Sequence, residues 1–128
     1  MIYNYEELVI WQRARNLVKQ VYFVLQDNKD FGFRDQIQRA VISIMNNIAE
    51  GFDRNKYTKN NSMFISFLGI AIGSCGEVKS MLYAAEDIGY ISAVDSLDMR
   101  NQCTDLQIKM HSLILSLKNK SHEVNDTK

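Results

Sequence analysis

The segment from Ser62 to Asp87 most constrains the fold, because its apolar residues repeat at alternating steps of four and three over three heptads. This spacing places them on one stripe of an α-helix, and so long a stripe needs other helices to cover it. The segment, which we expect to begin at Thr58 or Ser62, therefore predicts a helical bundle. The stripe consists of Phe64, Leu68, Ala71, Cys75, Val78, Leu82 and Ala85.

Three further segments have helical periodicity, and the chain contains no proline that would interrupt them. The first is predicted over residues 5–26, where Asn4 and Glu7 have the spacing of a capping box. Its expected buried face is Leu8, Trp11, Val18, Tyr22 and Leu25. Arg15 interrupts that face, and its side chain either extends past the core edge or reaches a carboxylate across an interface.

The second helix is predicted over residues 36–54, with Ile37, Val41, Ile44 and Ile48 on its apolar stripe. Gly51 is either a C-cap residue or an interior glycine that permits close packing. Gly89 ends the third helix, and Ser92 with Asp95 begins the fourth. The apolar stripe of the fourth helix is Met99, Cys103, Leu106, Met110, Leu113 and Leu117.

These four segments predict an all-α fold, an antiparallel up-down-up-down four-helix bundle formed by residues 1–118. The polar segments 27–33 and 53–61 are the first two loops. Residues 119–128 are charged and lack periodicity, so we expect a flexible tail.

Two further stripes are not explained by a core. Helix two carries a polar ridge, formed by Arg39, Ser43, Asn46 or Asn47, Glu50 and Arg54. Helix three carries small residues at Ser66, Gly69, Gly73, Gly76 and Ser80, although a helical glycine costs up to about 1 kcal/mol relative to alanine. We expect another helix to approach these glycines, either within the bundle or from another subunit, rather than a ligand. The candidate subunit interface or motif residues are Arg39, Asn47, Glu50, Arg54, Gly69, Gly73 and Gly76.

The sequence contains no recognisable catalytic or cofactor motif. The only histidines, His111 and His122, are not part of the Glu-x-x-His pairs of di-iron bundles, and no phosphate-binding glycine loop is present. Cys75 and Cys103 lie on apolar stripes and are predicted to be reduced core residues. We therefore expect no enzymatic activity, cofactor or metal.

Fifteen basic and fifteen acidic side chains give no net charge, which does not favour binding to a polyanion. Basic residues nevertheless concentrate in the first half of the chain. They form either a solvated face or a weak nucleic-acid surface that a ring of subunits would repeat. The candidate nucleic-acid binding residues are Arg13, Arg15, Lys19, Arg34, Lys56 and Lys59.

The sequence QIQRAVISIMNNIAEGFDR resembles the small bacterial four-helix bundle proteins encoded in intervening sequences of large-subunit ribosomal RNA genes. The resemblance covers residues 5–118 and includes LVIWQRA, FGFRDQIQRA, FLGIAIGSCGEV and IGYI. Its most specific parts are NIAEG with the following Arg54, and the pattern FLxxAxGS. Met45 departs from the family, which often has proline there, and the FP pair frequent in the first loop is missing.

The resemblance implies a homopentameric ring related to the accessory protein of diversity-generating retroelements, with RNA, DNA or a protein complex as ligand and no established enzymatic activity. The leading hypothesis is thus a pentameric adaptor that binds nucleic acid weakly. The alternative is a scaffold or accessory subunit for a nucleic-acid enzyme such as a reverse transcriptase. The N-terminus has no basic segment followed by an apolar run, and no stretch resembles a membrane span, so we expect a cytoplasmic protein without a membrane partner.

Overall fold

A computed structural model describes the backbone of residues 1–58 and 60–126, and side chains as far as residue 120. The chain forms four α-helices: α1 Val9–Val24, α2 Phe31–Asn55, α3 Ser62–Ile88 and α4 Ala93–Asp126. In the described residues no strand is present. The predicted all-α, up-down four-helix bundle is confirmed.

The helices occupy the corners of a square, with consecutive helices antiparallel and adjacent. The contact between α2 and α3 is the most extensive, whereas α1 and α4 meet least. Within the described residues, the diagonal pairs α1–α3 and α2–α4 make no close backbone contact. The bundle therefore has two opposite outer sides, one formed by α1 with α2 and the other by α3 with α4.

The predicted apolar stripes of α2 and α3 form the centre of the core. All seven stripe residues of α3 are buried, and so are Ile37, Val41, Ile44 and Ile48 of α2. Both stripes repeat at steps close to the 3.6-residue period without interruption, so the predicted buried face was correct throughout.

The predicted buried face of the first helix was wrong in its middle. The helix begins at Val9 after a 3₁₀ turn over Tyr5–Glu7, and the Glu7 carboxylate accepts a hydrogen bond from the Asn4 N–H at 3.0 Å. Because α1 is rotated from the expected orientation, Trp11 and Val18 are only partly buried and Tyr22 is exposed. Leu8 and Leu25 are buried as predicted, and between them the core residues are Ile10, Ala14, Leu17 and Val21.

A smaller correction applies to α4, where Ile114 is buried in place of Leu113. Seven residues of an α-helix fall about 20° short of two full turns. A stripe with a strict seven-residue repeat therefore drifts around the helix, and after several turns the buried position moves by one residue. The helix continues past residue 118 to Asp126. Side chains after residue 120 lie outside the described part, and the flexible tail stays a prediction.

The two turns at one end of the bundle are joined to each other. Asp30 caps α2 by accepting from the Phe33 N–H at 3.2 Å, and its second oxygen accepts from the Tyr90 hydroxyl at 2.6 Å. This hydrogen bond lowers the pKa of Asp30 and raises that of Tyr90. Gly89 ends α3 with φ of 91°, and Ser92 accepts from the Asp95 N–H, as their sequence positions predict.

Candidate functional site

The NIAEG motif of α2 lies against α3, and Gly51 is its closest point of contact. Gly51 is buried, and a Cβ atom placed there would lie 2.5 Å from the Cβ of Phe67 and 3.4 Å from Phe64 Cδ1. Because no real Cβ contact is that short, only glycine permits this helix spacing. Gly51 is therefore an interior packing residue, which was one of its two predicted roles.

Asn47 of the same motif fixes the polar edge of the α2–α3 contact. Its side-chain amide donates to the Ser43 carbonyl at 2.7 Å and to the Ser43 hydroxyl at 2.9 Å. The Ser43 hydroxyl in turn lies 3.0 Å from the Ser74 hydroxyl on α3. Asn47 therefore has a structural role within one chain.

Glu50 and Arg54 form an ion pair on the surface of the same seam. The Arg54 guanidinium lies 2.7 Å from the Glu50 carboxylate, and its Cζ is 5.4 Å from the centre of the Phe67 ring. Both side chains are about half exposed. Three of the four candidate interface residues on α2 thus have partners within the chain.

Arg39, the fourth, has no carboxylate partner among the described residues. Asp35 and Arg39 have the i,i+4 spacing of a helical ion pair, but the described residues do not form one there. Arg39 borders an open groove of about 590 Å³ between α1 and α2. The groove is rich in amide and hydroxyl groups and is lined by Tyr22, Asp35, Gln38, Arg39, Ile42, Ser43, Asn46 and Asn47.

Three of the candidate nucleic-acid residues make intramolecular contacts. Arg13 lies 2.5 Å from Asp105 of α4, and Lys56 lies 3.4 Å from Asp53. Arg34 donates to the Asn28 carbonyl at 3.2 Å, so it braces the turn between α1 and α2. Lys59 lies outside the described residues. These contacts leave Arg13, Arg34 and Lys56 less available to phosphates than their sequence positions suggested.

Arg15 and Lys19, in contrast, lie exposed on one side of α1. Lys19 lies towards α4, where it lines a depression with Asp95 and Asp98. Tyr22 lies towards α2 and lines the groove that Arg39 borders. The Arg15 guanidinium lies 5.7 Å from the centre of the Trp11 ring and has no carboxylate partner among the described residues. We call Arg15, Lys19, Tyr22 and Arg39 the cationic surface.

The glycines of α3 have different surroundings. A Cβ atom at Gly69 or Gly73 would meet nothing within 4 Å, and one at Gly76 would lie 3.5 Å from the Gln107 amide nitrogen. Within the chain, therefore, no helix packs closely against Gly69 or Gly73. Of the two predicted explanations for these glycines, approach of a helix from within the bundle does not apply to them.

A groove between α1 and α4 was not predicted from the sequence. It encloses about 670 Å³ near Val9 and Leu106, and a neighbouring depression of about 410 Å³ lies between Phe23 and Met99. The two share Asn16 and Asp98. Both are lined by residues of α1 and α4 that are far apart in the sequence, so only the tertiary structure brings these walls together.

The two cysteines are buried and unbonded to each other, as predicted. Burial raises the pKa of both thiols to about 12. Among the described side chains, no three histidines, cysteines or carboxylates converge as metal ligands would. By length and composition alone, α3 is the one described helix that could cross a membrane.

No curated protein matches this chain. A crystal structure of a protein of unknown function from the S23 ribosomal protein family of Bacteroides thetaiotaomicron VPI-5482 has the same fold, with a TM-score of 0.70 and 24% sequence identity. The match covers 83% of this chain and 98% of that one. The sequence profile of the 23S rRNA-intervening sequence proteins matches residues 6–112, so the chain belongs to the 23S rRNA-intervening sequence protein family.

Proposed function

We propose that this protein is a non-enzymatic, cytoplasmic homo-oligomer, a pentamer, that binds RNA or DNA weakly through a repeated cationic surface. The observation that supports nucleic-acid binding is the exposure of Arg15, Lys19 and Arg39 without carboxylate partners in the described part of the chain. Unpaired cations are free to neutralise phosphates, which is the main source of affinity for nucleic acids.

The composition of the neighbouring groove also supports this role. Tyr22 is 37% exposed beside Arg39, and Gln38 and Asn46 add amide groups at the same place. Aromatic rings stack on unpaired bases, and amides form hydrogen bonds with base edges and sugars. A single-stranded region or loop is therefore a better ligand for this surface than a regular duplex.

Assembly is needed because one copy offers few contacts. The chain has no net charge, and three cations give only modest affinity. When identical copies engage one nucleic acid, each further contact is intramolecular and the affinities reinforce one another. The proposal thus links weak binding by one chain to stronger binding by the ring.

The test is binding of a short RNA hairpin, measured by fluorescence anisotropy between about 50 and about 200 mM salt. In the triple variant Arg15→Gln, Lys19→Gln, Arg39→Gln we expect the dissociation constant to rise at least about 10-fold and the salt dependence to become shallower. The matched control is Lys109→Gln, which removes a cation of α4 that is paired with Asp105. Equal affinity of wild type and triple variant, or binding insensitive to salt, would contradict the proposal.

A second candidate function is supported by the groove between α1 and α4. Val9 and Phe23 are 54% and 68% exposed along it, and Asp98 and Asp105 add carboxylates to the α4 wall. Such a groove suits a helix of a protein partner, for example a reverse transcriptase to which this chain is an accessory subunit. Loss of that partner in a pull-down with Phe23→Glu, but not with Arg15→Gln, would favour this alternative.

A further inference from the structure

Asp35 and Arg39 are opposite charges on α2 that remain unpaired. They lie about one helical turn apart, and both side chains are exposed. None of the ion pairs that the described residues form includes either of them. An exposed pair at this spacing is weak, so a ligand can engage both charges without first breaking a strong contact. The carboxylate and the guanidinium are therefore both available to a ligand.

The two charges line the same open groove as an aromatic ring. The groove between α1 and α2 encloses about 590 Å³, and Tyr22 of α1 and Gln38 of α2 also line it. Ligand sites typically have volumes of about 300–1,000 Å³, so this groove can hold one nucleotide. Tyr22 is 37% exposed, which leaves part of its ring open to stacking. Asp35, Gln38 and Arg39 share one face of α2, because residues three and four apart are neighbours on a helix surface.

The Asp35 carboxylate determines which chemical group can bind beside it. An ionised carboxylate repels phosphate and only accepts hydrogen bonds. Its partner must therefore carry N–H or O–H donors, and two adjacent donors match its two oxygens best. Arg39 has the opposite preference, because a guanidinium binds phosphate. A ligand that satisfies both side chains has a phosphate at one end and adjacent donors at the other.

Guanine is the nucleobase whose edge fits Asp35 and Gln38. Its Watson–Crick edge presents two neighbouring donors, the N1–H and the N2 amino group, next to the O6 acceptor. Adenine, cytosine and uracil each present a single donor group on that edge. The Asp35 carboxylate can accept from both guanine donors, and the Gln38 amide, about one turn further along α2, can donate to O6. The exposed part of the Tyr22 ring can stack on the flat face of the base.

We propose that the groove between α1 and α2 binds one unpaired guanine of a single-stranded nucleic acid. Asp35 and Gln38 bind the edge of the base, Tyr22 stacks on it, and Arg39 binds the adjacent phosphate. The inference rests on the proposed nucleic-acid binding and specifies the base that this part of the surface selects. Arg15 contacts only the backbone and adds affinity without base preference.

Base substitution in a short RNA tests the site with the full-length protein. The probes are labelled oligouridine strands with one central guanosine, or with inosine or adenosine in its place. Inosine lacks the N2 amino group and so removes one of the two donors. By fluorescence anisotropy at low salt, we expect the guanosine strand to bind at least about 5-fold more tightly than either of the others.

The outcome separates this inference from the proposed function. Equal affinities for the three strands would overturn guanine recognition while leaving nucleic-acid binding standing. Absence of binding to any of the strands would overturn both. Free guanosine monophosphate should compete only weakly, because it lacks the neighbouring phosphates of a strand. Competition by the free nucleotide as strong as by the guanosine strand would overturn the assignment to a strand.

Three variants distinguish recognition of the base from attraction to phosphate. Asp35→Asn keeps the size of the side chain but replaces one acceptor with a donor, so we expect the guanosine and inosine strands to bind alike. Arg39→Gln should weaken both strands and retain the preference, because a phosphate contact reads no sequence. The matched control is Glu77→Gln, which removes the carboxylate that lines a smaller hollow of about 320 Å³ on the α3 side of Arg39. A preference that survives Asp35→Asn, or that Glu77→Gln abolishes, would overturn the assigned residues.

Discussion

Gly51 shows how a single residue sets the spacing of two helices. Its Cα lies so close to Phe67 that an added methyl group has no space, and the atom it would meet is the Cβ of Phe67 rather than a flexible end. Relief of the clash would require α2 and α3 to separate. Packing of α2 against α3 within one bundle therefore requires the glycine of the NIAEG motif.

For Gly51→Ala we expect the free energy of unfolding to fall by about 1–3 kcal/mol, the usual cost of overpacking a core. Urea denaturation monitored by circular dichroism measures this change. The matched control is Gly32→Ala at the start of α2, where an added Cβ makes only an ordinary contact with Asp30 at 4.0 Å. We expect the control to be unchanged or slightly more stable, because alanine favours the helix. A Gly51→Ala protein as stable as wild type would contradict this interpretation.

The buried thiols permit a second prediction. Because burial raises the pKa of Cys75 and Cys103 to about 12, almost no thiolate is present at pH 8 and the reagent cannot reach either sulfur. We expect mass spectrometry to find no alkylation of the native protein by iodoacetamide and modification of both cysteines in denaturant. Ser116→Cys, at an exposed position, serves as the reactive control. Rapid alkylation of either native cysteine would mean that the core opens readily.

At the scale of the helix, sequence periodicity predicted some buried faces and not others. On α3 the stripe was predicted in full, because large apolar residues recur there without competition. On α1 two alternative stripes exist, and the predicted one, which contained Trp11 and Tyr22, was interrupted by Arg15. The structure buries Ala14 instead, since a small side chain allows close packing and the aromatic residues can remain at the core edge.

The hydrogen bond between Tyr90 and Asp30 joins two turns. Its contribution to stability should depend on pH, because both side chains are titratable. Asp30 has a lowered pKa, mainly because of the Tyr90 hydroxyl and then the Phe33 N–H. Its stabilising contribution is therefore present above the usual aspartate pKa and is lost as pH falls through the lowered value. The pKa of Tyr90 is raised by Asp30, so the contribution is also lost when alkaline pH ionises the phenol.

We therefore expect Tyr90→Phe to lower the melting temperature most near neutral pH and to have little effect in strong acid. Thermal denaturation of both proteins from about pH 2 to pH 8 measures the difference. The phenylalanine ring keeps the edge contact with Phe33, whose centre lies 5.3 Å from that of Tyr90. A melting-temperature difference that stays constant across this range would show that the ring, not the hydroxyl, stabilises the turns.

Asn47 offers a further prediction at this scale. Because its amide makes two hydrogen bonds to Ser43 at the α2–α3 seam, Asn47→Ala should lower the free energy of unfolding by about 0.5–1.5 kcal/mol. Light scattering should find the subunit number unchanged, since these bonds lie within one chain. If the variant dissociates while its fold remains stable, Asn47 belongs to a subunit interface instead.

For the whole molecule, the sequence predicted the fold but only part of the candidate site. Fold class follows from local periodicity, whereas the availability of a cation depends on residues far along the chain. The sequence alone does not distinguish Arg13 from Arg15 as a candidate phosphate ligand. In the structure, Arg13 forms an ion pair with Asp105, whereas Arg15 does not. The exposed apolar residues Val94, Leu97, Ile108 and Leu115 of α4 were likewise not identified, because they are recognisable as exposed only once the core stripe has been located.

The exposed cations and the α3 glycines lie on different helices of the bundle. Arg15 and Arg39 are exposed on α1 and α2, and Lys19 is exposed on α1 at the depression between α1 and α4. Gly69 and Gly73 lie on α3, where an added Cβ atom would meet open space. In our account, subunits associate and present the cations to nucleic acid, so substitutions of the cations should change affinity without changing mass.

The most direct test of this account is the solution mass measured by light scattering, with and without a short RNA hairpin, at about 50 and about 200 mM salt. We expect wild type to have the mass of about five 14.8 kDa chains, which rises with RNA at low salt and returns on raising the salt. The triple variant Arg15→Gln, Lys19→Gln, Arg39→Gln should give an oligomer that RNA does not enlarge. A wild type that remains a 14.8 kDa monomer and is unaffected by RNA would contradict the account.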